Sequence, residues 1–402
     1  MPPRTFCQTT VSNLSTPAGT YIYALTPLSA THLAASTSDS SIITFSKPTL
    51  TLTTTISHAH TNVTSLTPYP SSPQTLLTSG TDGLVKLWDL RCPPTASLAS
   101  EIAVGAPVLC ASANAQGGII AGTEMQERVS KVYVWDGRML SGEDVKPTWV
   151  FAESHGDDVS FVGFAGEEEE AGGGGSRWGV SGGMDGLVSV FDLRAGKAGA
   201  GDDDEKALWQ VVNVGASVHR AGFLDAGAGG KGEWVFGLST DESLVLGCFD
   251  RTPGREEEEE GDVQGGVAGD VGDVRERLGC EYVVDVLRAS GNGTTGGIVV
   301  AGNKEVGKQW VDLVPLRWAG SQWGFASEDK VRLQGGHGEE VCRGIWVDEE
   351  SETVFTGGED GLVKVWREET SREEGVSEGE KKERKEGRRE RRRREKERFK
   401  PY

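Results

Sequence analysis

Short runs in which apolar and polar residues alternate recur along this chain, and three of them are nearly superimposable. They are TSGTDGLVKLWDLR at 78–91, SGGMDGLVSVFDLR at 181–194 and TGGEDGLVKVWR at 356–367. In each, Asp-Gly supplies a tight turn with positive φ, and the alternation after it predicts a half-buried strand closing on an aromatic residue, Trp88, Phe191 or Trp366. Weaker copies fill the gaps. Tyr21 to Phe45 closes on SDSSIITF, with Asp39 six residues before Phe45, and Gly118 to Asp136 closes on KVYVWD. SVHRAGFL with EWVFGLSTDESLVLGCFD forms a fifth unit, and EYVVDVLRA, GIVVAGN and KQWVDLVPL form a sixth that lacks the Asp-Gly turn. Eleven Trp and 56 Gly fit many short strands joined by tight turns better than a helical bundle.

These repeats resemble the WD-repeat family, whose unit is a four-stranded blade with Gly-His near its start and Trp-Asp near its end. The resemblance implies an all-β propeller. It also implies that a His, a Ser or Thr, the turn Asp and the Trp of one blade form a hydrogen-bonded set. The matching positions are His60, Thr78, Asp82 and Trp88; His155, Ser181 and Asp185, with Phe191 in place of Trp; and His337, Thr356, Asp360 and Trp366. His60 fits least well, since it stands one residue closer to the following Val than the other two. Buried polar groups need partners, so recurrence at one blade position marks these residues as scaffold rather than as catalytic groups.

The anchors Phe45, Trp88, Trp135 and Phe191 are 43, 47 and 56 residues apart, close to one blade plus loop insertions. AGKAGAGDDDEK, DAGAGGKG and RTPGREEEEEGDVQGGVAGDVGD have loop composition and absorb the excess between Phe191 and Trp366. The expectation is a seven-bladed propeller over residues 1–367, with eight blades as the alternative, followed by a charged tail, disordered or helical, over 368–402. Thr5 to Val11 is expected to supply the outer strand of the last blade, as is usual in this family.

Charge divides the chain. Residues 381–402 hold 13 Lys or Arg against five Glu, a net of +8, so within the total of −20 everything before them carries −28. The acidic runs Glu167–Glu170, Asp202–Glu205 and Glu256–Glu260 are expected in loops, where they solubilise the protein or shield a basic client. The basic tail, with Lys381, Lys382, Arg388, Arg389, Arg391, Arg392, Arg393 and Arg394, has no apolar stripe. It reads as an import signal or a phosphate-backbone contact.

The Gly-rich stretches lack the spacing of a phosphate-binding loop, and the six scattered cysteines show no zinc or redox spacing. No catalytic residue, cofactor or metal is expected. The first residues lack a secretory pattern, and no apolar run approaches a membrane span, so a soluble intracellular protein is expected, with no membrane contact.

The function expected is a scaffold or chaperone-like binder of basic nuclear proteins such as histones or ribosomal proteins, monomeric within a larger complex. Two alternatives stand beside it. WDLR at 88–91, echoed by FDLR at 191–194, resembles the ending by which substrate receptors dock on the adaptor of a cullin-type ubiquitin ligase, with Arg91 and Arg194 as contacts. The tail alone suggests an RNA-associated ribosome-assembly factor. The nucleus is the expected location, with nucleolus or cytoplasm as alternatives.

Overall fold

A computed structural model describes residues 4–140, 145–166, 176–194, 204–225, 233–249, 267–289, 295–319 and 322–368. Antiparallel meanders of four strands recur through it. The first sheet consists of Ile22–Pro27, His32–Thr37, Ile42–Ser46 and Leu52–Ile56, and the second of Val63–Pro68, Thr75–Gly80, Leu84–Asp89 and Leu98–Ala103. The third holds Val108–Ala113, Gly118–Thr123, Val132–Asp136 and Trp149–Phe151. The fourth holds Val159–Phe164, Trp178–Gly183, Leu187–Asp192 and Leu208–Asn213. The fifth holds Val218–Asp225, Glu233–Ser239, Ser243–Phe249 and Val267–Asp273.

The last sheet is larger because Arg4–Ser12 lies inside it. On one side of this strand is the meander of Tyr282–Arg288, Thr295–Asn303, Trp310–Trp318 and Val331–Gln334, with Trp323–Phe325 paired to Trp310–Trp318. On the other are Val363–Glu368, Thr353–Gly358 and Cys342–Asp348. Arg4, Thr5 and Phe6 run parallel to Val331, Arg332 and Leu333, while Thr9 Oγ1 donates to the Val365 carbonyl at 3.2 Å.

First strands of successive meanders pack side by side, from Ile22–Pro27 through Val63–Pro68 and onward to Cys342–Asp348, which in turn packs against Ile22–Pro27. The circuit is closed, as a β-propeller requires. Aromatic anchors fill the space between neighbouring sheets. Phe151 stacks on Phe191 at 4.2 Å, Trp178 meets Phe249 edge-on at 4.9 Å, and Trp234 lies 4.8 Å from Trp318. Fully burying one such side chain contributes roughly 1.5–3 kcal/mol, so the seams between sheets carry much of the stability.

The structure corrects two expectations about loops. Val267–Asp273, inside a stretch of loop composition, is the fourth strand of the fifth sheet and pairs with Ser243–Phe249 across two register shifts. An edge strand needs only its backbone groups on one side, which is why Gly-rich sequence suffices there. Asp204–Ala207, the end of the second acidic run and of another such stretch, forms one turn of helix. The other acidic runs and the basic tail residues named above lie outside the described residues. The chain divides into two units, Met1–Arg367 and Glu368–Tyr402. Among the described residues no helix is long and apolar enough to cross a membrane.

Candidate functional site

Three sheets contain the same buried polar relay. In the second, His60 Nδ1 lies 2.9 Å from Asp82 Oδ1, His60 Nε2 2.7 Å from Thr78 Oγ1, and Trp88 Nε1 2.8 Å from the same hydroxyl. The last repeats this with His337 Nδ1 to Asp360 at 2.7 Å, His337 Nε2 to Thr356 at 2.8 Å and Trp366 Nε1 to Thr356 at 2.8 Å. Only one proton arrangement satisfies every atom. The indole N–H donates to the hydroxyl oxygen, the hydroxyl donates to Nε2, and Nδ1–H donates to the carboxylate, which makes the imidazole neutral. Burial pushes the His60 and His337 pKa values down and outweighs the pull of their carboxylates. Burial also pushes the Asp82 and Asp360 carboxyls up, but the bonds from histidine and the charges of Lys86 and Lys364 more than offset it, and both end below the usual range.

The fourth sheet keeps the relay without its indole. His155 Nε2 is 2.6 Å from Ser181 Oγ and Nδ1 3.2 Å from Asp185, which also accepts from the Gly156 N–H at 2.8 Å. Phe191 has no N–H to place, and a serine suffices where Thr78 and Thr356 serve two partners.

A glycine beneath each histidine ring makes the relay possible. A Cβ on Gly80 would come within 2.5 Å of His60, one on Gly183 within 2.4 Å of His155 and one on Gly358 within 2.5 Å of His337. The first and fifth sheets have Thr37 and Ser239 at the matching place. There the hydroxyl itself holds the turn aspartate, Thr37 Oγ1 to Asp39 at 2.5 Å and Ser239 to Asp241. Either a ring or a hydroxyl fills the space. The third sheet also has a hydroxyl at that place, Thr123, but no partner for its tryptophan. Ala121 stands where Thr78 does, and the buried Trp135 Nε1 has no hydrogen-bond partner. Ala121→Ser is therefore expected to raise stability by about 1 kcal/mol through one new hydrogen bond, read as a higher urea midpoint at unchanged slope. A lower midpoint would show that the hydroxyl overpacks the site.

Sequence reading missed the lysines of this relay. Lys86 Nζ donates to the Ala59 carbonyl at 2.9 Å, and Lys364 Nζ donates to the Gly336 carbonyl at 2.9 Å and lies 3.0 Å from Asp360. Their place in D-G-L-V-K was the available signal.

At the opposite ends of the third strands the candidate Arg91 closes on its own turn. Its Nε is 2.8 Å and its Nη2 2.6 Å from Asp89. Asp136 and Arg138, in a second Trp-Asp-x-Arg that the sequence displays at 135–138, adopt the same fork, as do Asp273 and Arg275 at the end of a fourth strand with no aromatic before them. The Arg194 backbone N–H donates to Asp192 as that of Arg91 does to Asp89, and the Asp192 carboxylate also takes the Arg177 guanidinium at 2.6 Å. The fork is thus a local turn device.

Among the described residues no group of three or more His, Cys, Asp or Glu could hold a metal ion. Burial pushes the thiols of Cys110, Cys280 and Cys342 up to about 12, far from a reactive thiolate.

Comparison with known proteins agrees with this geometry. Residues 49–89 and 329–367 match the family model for the WD domain, G-beta repeat, and each match spans one complete relay. An uncharacterized WD repeat-containing protein of Schizosaccharomyces pombe is 26% identical over 326 residues, covering 80% of this chain and 88% of its own. Another, of Saccharomyces cerevisiae, is 27% identical over 293 residues, covering 72% of this chain and 64% of its own length. Among solved structures, a chain of a mitotic checkpoint complex superposes with a TM-score of 0.58 at 11% identity, covering 90% of this chain and 91% of that one, a likeness of fold alone. The chain folds as an all-β propeller, carries two matches to the WD repeat and is similar to WD repeat-containing proteins of fungi.

Proposed function

We propose that this protein is a non-catalytic scaffold of seven blades that binds basic nuclear proteins at the end of the ring where the Asp-Gly hairpins gather. The nine-stranded sheet is read here as two blades sharing Arg4–Ser12. One observation carries the choice of face. Tyr21, Tyr23, Val129, Met184 and Val306, five of the eight large apolar residues left exposed among the described residues, sit in hairpins between second and third strands or at the starts of first strands. In an antiparallel meander these positions share one end. Exposed Glu127, Asp157, Asp241, Glu305, Glu339 and Glu340 share it too, against exposed Arg128, Lys304, Lys308 and Arg343, of which Lys308 is paired with Glu305 and Arg343 with Glu359. Apolar anchors ringed by acidic groups suit a cationic protein surface.

The basic tail is proposed as the import signal. A basic tail closing on RFKPY, together with the degenerate middle repeats, resembles WD repeat-containing protein 89 and its fungal homologues, in line with a nuclear scaffold. A second reading, docking on a ligase adaptor, gains from the second Trp-Asp-x-Arg at 135–138, which with FDLR at 191–194 puts such endings on three consecutive blades. Direct RNA binding rests on the tail alone.

Affinity capture from nuclear extract by the full chain tests all of these. Histones or ribosomal proteins should be retained at 0.1 M salt and lost toward 1 M, as screening shortens from about 10 Å to about 3 Å. Tyr23→Ala with Met184→Ala should weaken capture by about tenfold or more, the loss typical of interface anchors, and removing residues 381–402 should abolish nuclear accumulation. Capture of no basic protein at low salt, or undiminished capture by the double variant, refutes the proposal. Retention of a ligase adaptor, lost in Arg91→Ala, would select the second reading, and retention of RNA the third.

A further inference from the structure

The hairpin of the fifth sheet breaks the pattern of its neighbours at one residue. After the turn aspartate the second, fourth and last sheets place Gly83, Gly186 and Gly361, all with positive φ. The fifth places Glu242 there, at φ 65. A side chain in this position leaves the hairpin sideways, toward the next blade. The first sheet shows what that achieves. Ser40, at φ 61, donates its hydroxyl to the Thr61 carbonyl at 3.1 Å and so ties the first sheet to the second. Glu242 makes the corresponding tie with an ionisable group. Its carboxyl lies beside the Val283 backbone in the first strand of the following meander, and its carbonyl accepts from the Val274 N–H at 3.0 Å. Its other carboxyl oxygen, Oε2, is buried with no hydrogen-bond partner.

We propose that Glu242 is a pH-responsive latch on the seam between the fifth blade and the next, closed when its carboxyl carries a proton and loosened when it does not. Burial and the neighbouring carboxylates favour the closed form, while Arg275 and the Val283 N–H favour the open one. Asp241 approaches from its own hairpin, and Asp273 and Arg275 from the end of the fourth strand and the helical turn Val274–Leu278. Cys280 and the Val283 N–H approach from the start of the following meander. The one cation among them, Arg275, is already engaged by Asp273 at 2.8 Å. An ionised Glu242 would therefore bury an uncompensated oxygen beside two carboxylates. Burial, the largest cause, pushes its pKa up to about 7, with Asp273 and Asp241 adding to it.

The folded pKa is raised, so the latch contributes fully below the ordinary value of 4.5 and is lost as pH rises through about 7. The buried histidines run the other way. His60 and His337 are lowered by burial and His219 falls to about 4, so their contribution is present above 6.5 and declines on acidification. Between pH 6 and 8 the two kinds of group pull in opposite directions, and a substitution at residue 242 separates them.

The test is amide hydrogen exchange on the full-length chain at pH 6 and pH 8, corrected for intrinsic rates. Protection of residues 274–283 should fall by about tenfold from pH 6 to pH 8, the change in opening equilibrium that a shift from 4.5 to about 7 produces. Residues 85–88 of the second sheet should show no such step. Glu242→Gln, which keeps the shape without the charge, should remove the step, and so should Glu242→Gly, which suits the positive φ and serves if glutamine disturbs the hairpin. A wild-type chain with no step, or a step of equal size in both variants, overturns the proposal.

Discussion

Deletion of residues 1–12 is expected to cost this propeller of the order of 5 kcal/mol, a large part of the roughly 5–15 kcal/mol that a folded domain possesses. The removed strand does two things at once. Its first residues pair in parallel with Val331–Leu333, and the strand also lies against Val363–Glu368, so its loss opens two sheet edges. Phe6, 5% exposed, packs with Leu333, Val354 and Trp366, and truncating such a buried phenylalanine alone costs about 3–5 kcal/mol. Backbone hydrogen bonds add about 1 kcal/mol each. Urea unfolding should show a sharply lowered midpoint. Aggregation should increase, because exposed strand edges recruit one another. Phe6→Ala should reproduce more than half of the loss with the edges still paired. A truncated chain with an unchanged midpoint would mean that Arg4–Ser12 decorates a ring already closed without it.

How much of this was legible beforehand depends on how local each signal is. Asp-Gly, the alternation after it and the aromatic at its end lie within ten residues, and they announce the second, fourth and last sheets directly. The relay partners of Thr78 and Thr356 also follow from repetition. The exchange of Gly80 for Thr37 or Ser239 does not, because it has meaning only once a histidine some 20 residues upstream is known to fill or leave the space above. The parallel pairing of Arg4–Phe6 with Val331–Leu333 joins residues more than 300 positions apart and leaves no local trace. Glu242 was hidden for a related reason. Asp-Glu lacks the glycine that signals a tight hairpin, so the feature that makes this turn unusual is the one that removes its signature. Val267–Asp273 shows the limit of composition, since a Gly-rich segment becomes a strand when a neighbouring edge offers the pairing.

Thr356→Val and Ser181→Ala make the second large test, because equivalent positions in two blades should respond unequally. Thr356 is fully buried, accepts from Trp366 Nε1 and donates to His337 Nε2. Valine matches its shape but leaves both nitrogens unpaired, and each buried orphan costs about 1–3 kcal/mol, so a loss of roughly 2–6 kcal/mol is expected. Ser181 is equally buried but serves His155 alone, since Phe191 brings no N–H, and Ser181→Ala should cost about half as much. Adding Trp366→Phe to Thr356→Val should then cost less than Trp366→Phe in the wild type, because one orphan is already present when the indole is removed. The third sheet supplies a natural precedent, as Trp135 stands unpaired over Ala121 in a chain that folds nonetheless. The measurement is a double-mutant cycle by urea unfolding. Equal losses at Thr356 and Ser181, or strict additivity with Trp366→Phe, would show that the relay contributes by packing alone and that the shared hydroxyl has no special place in holding the blade.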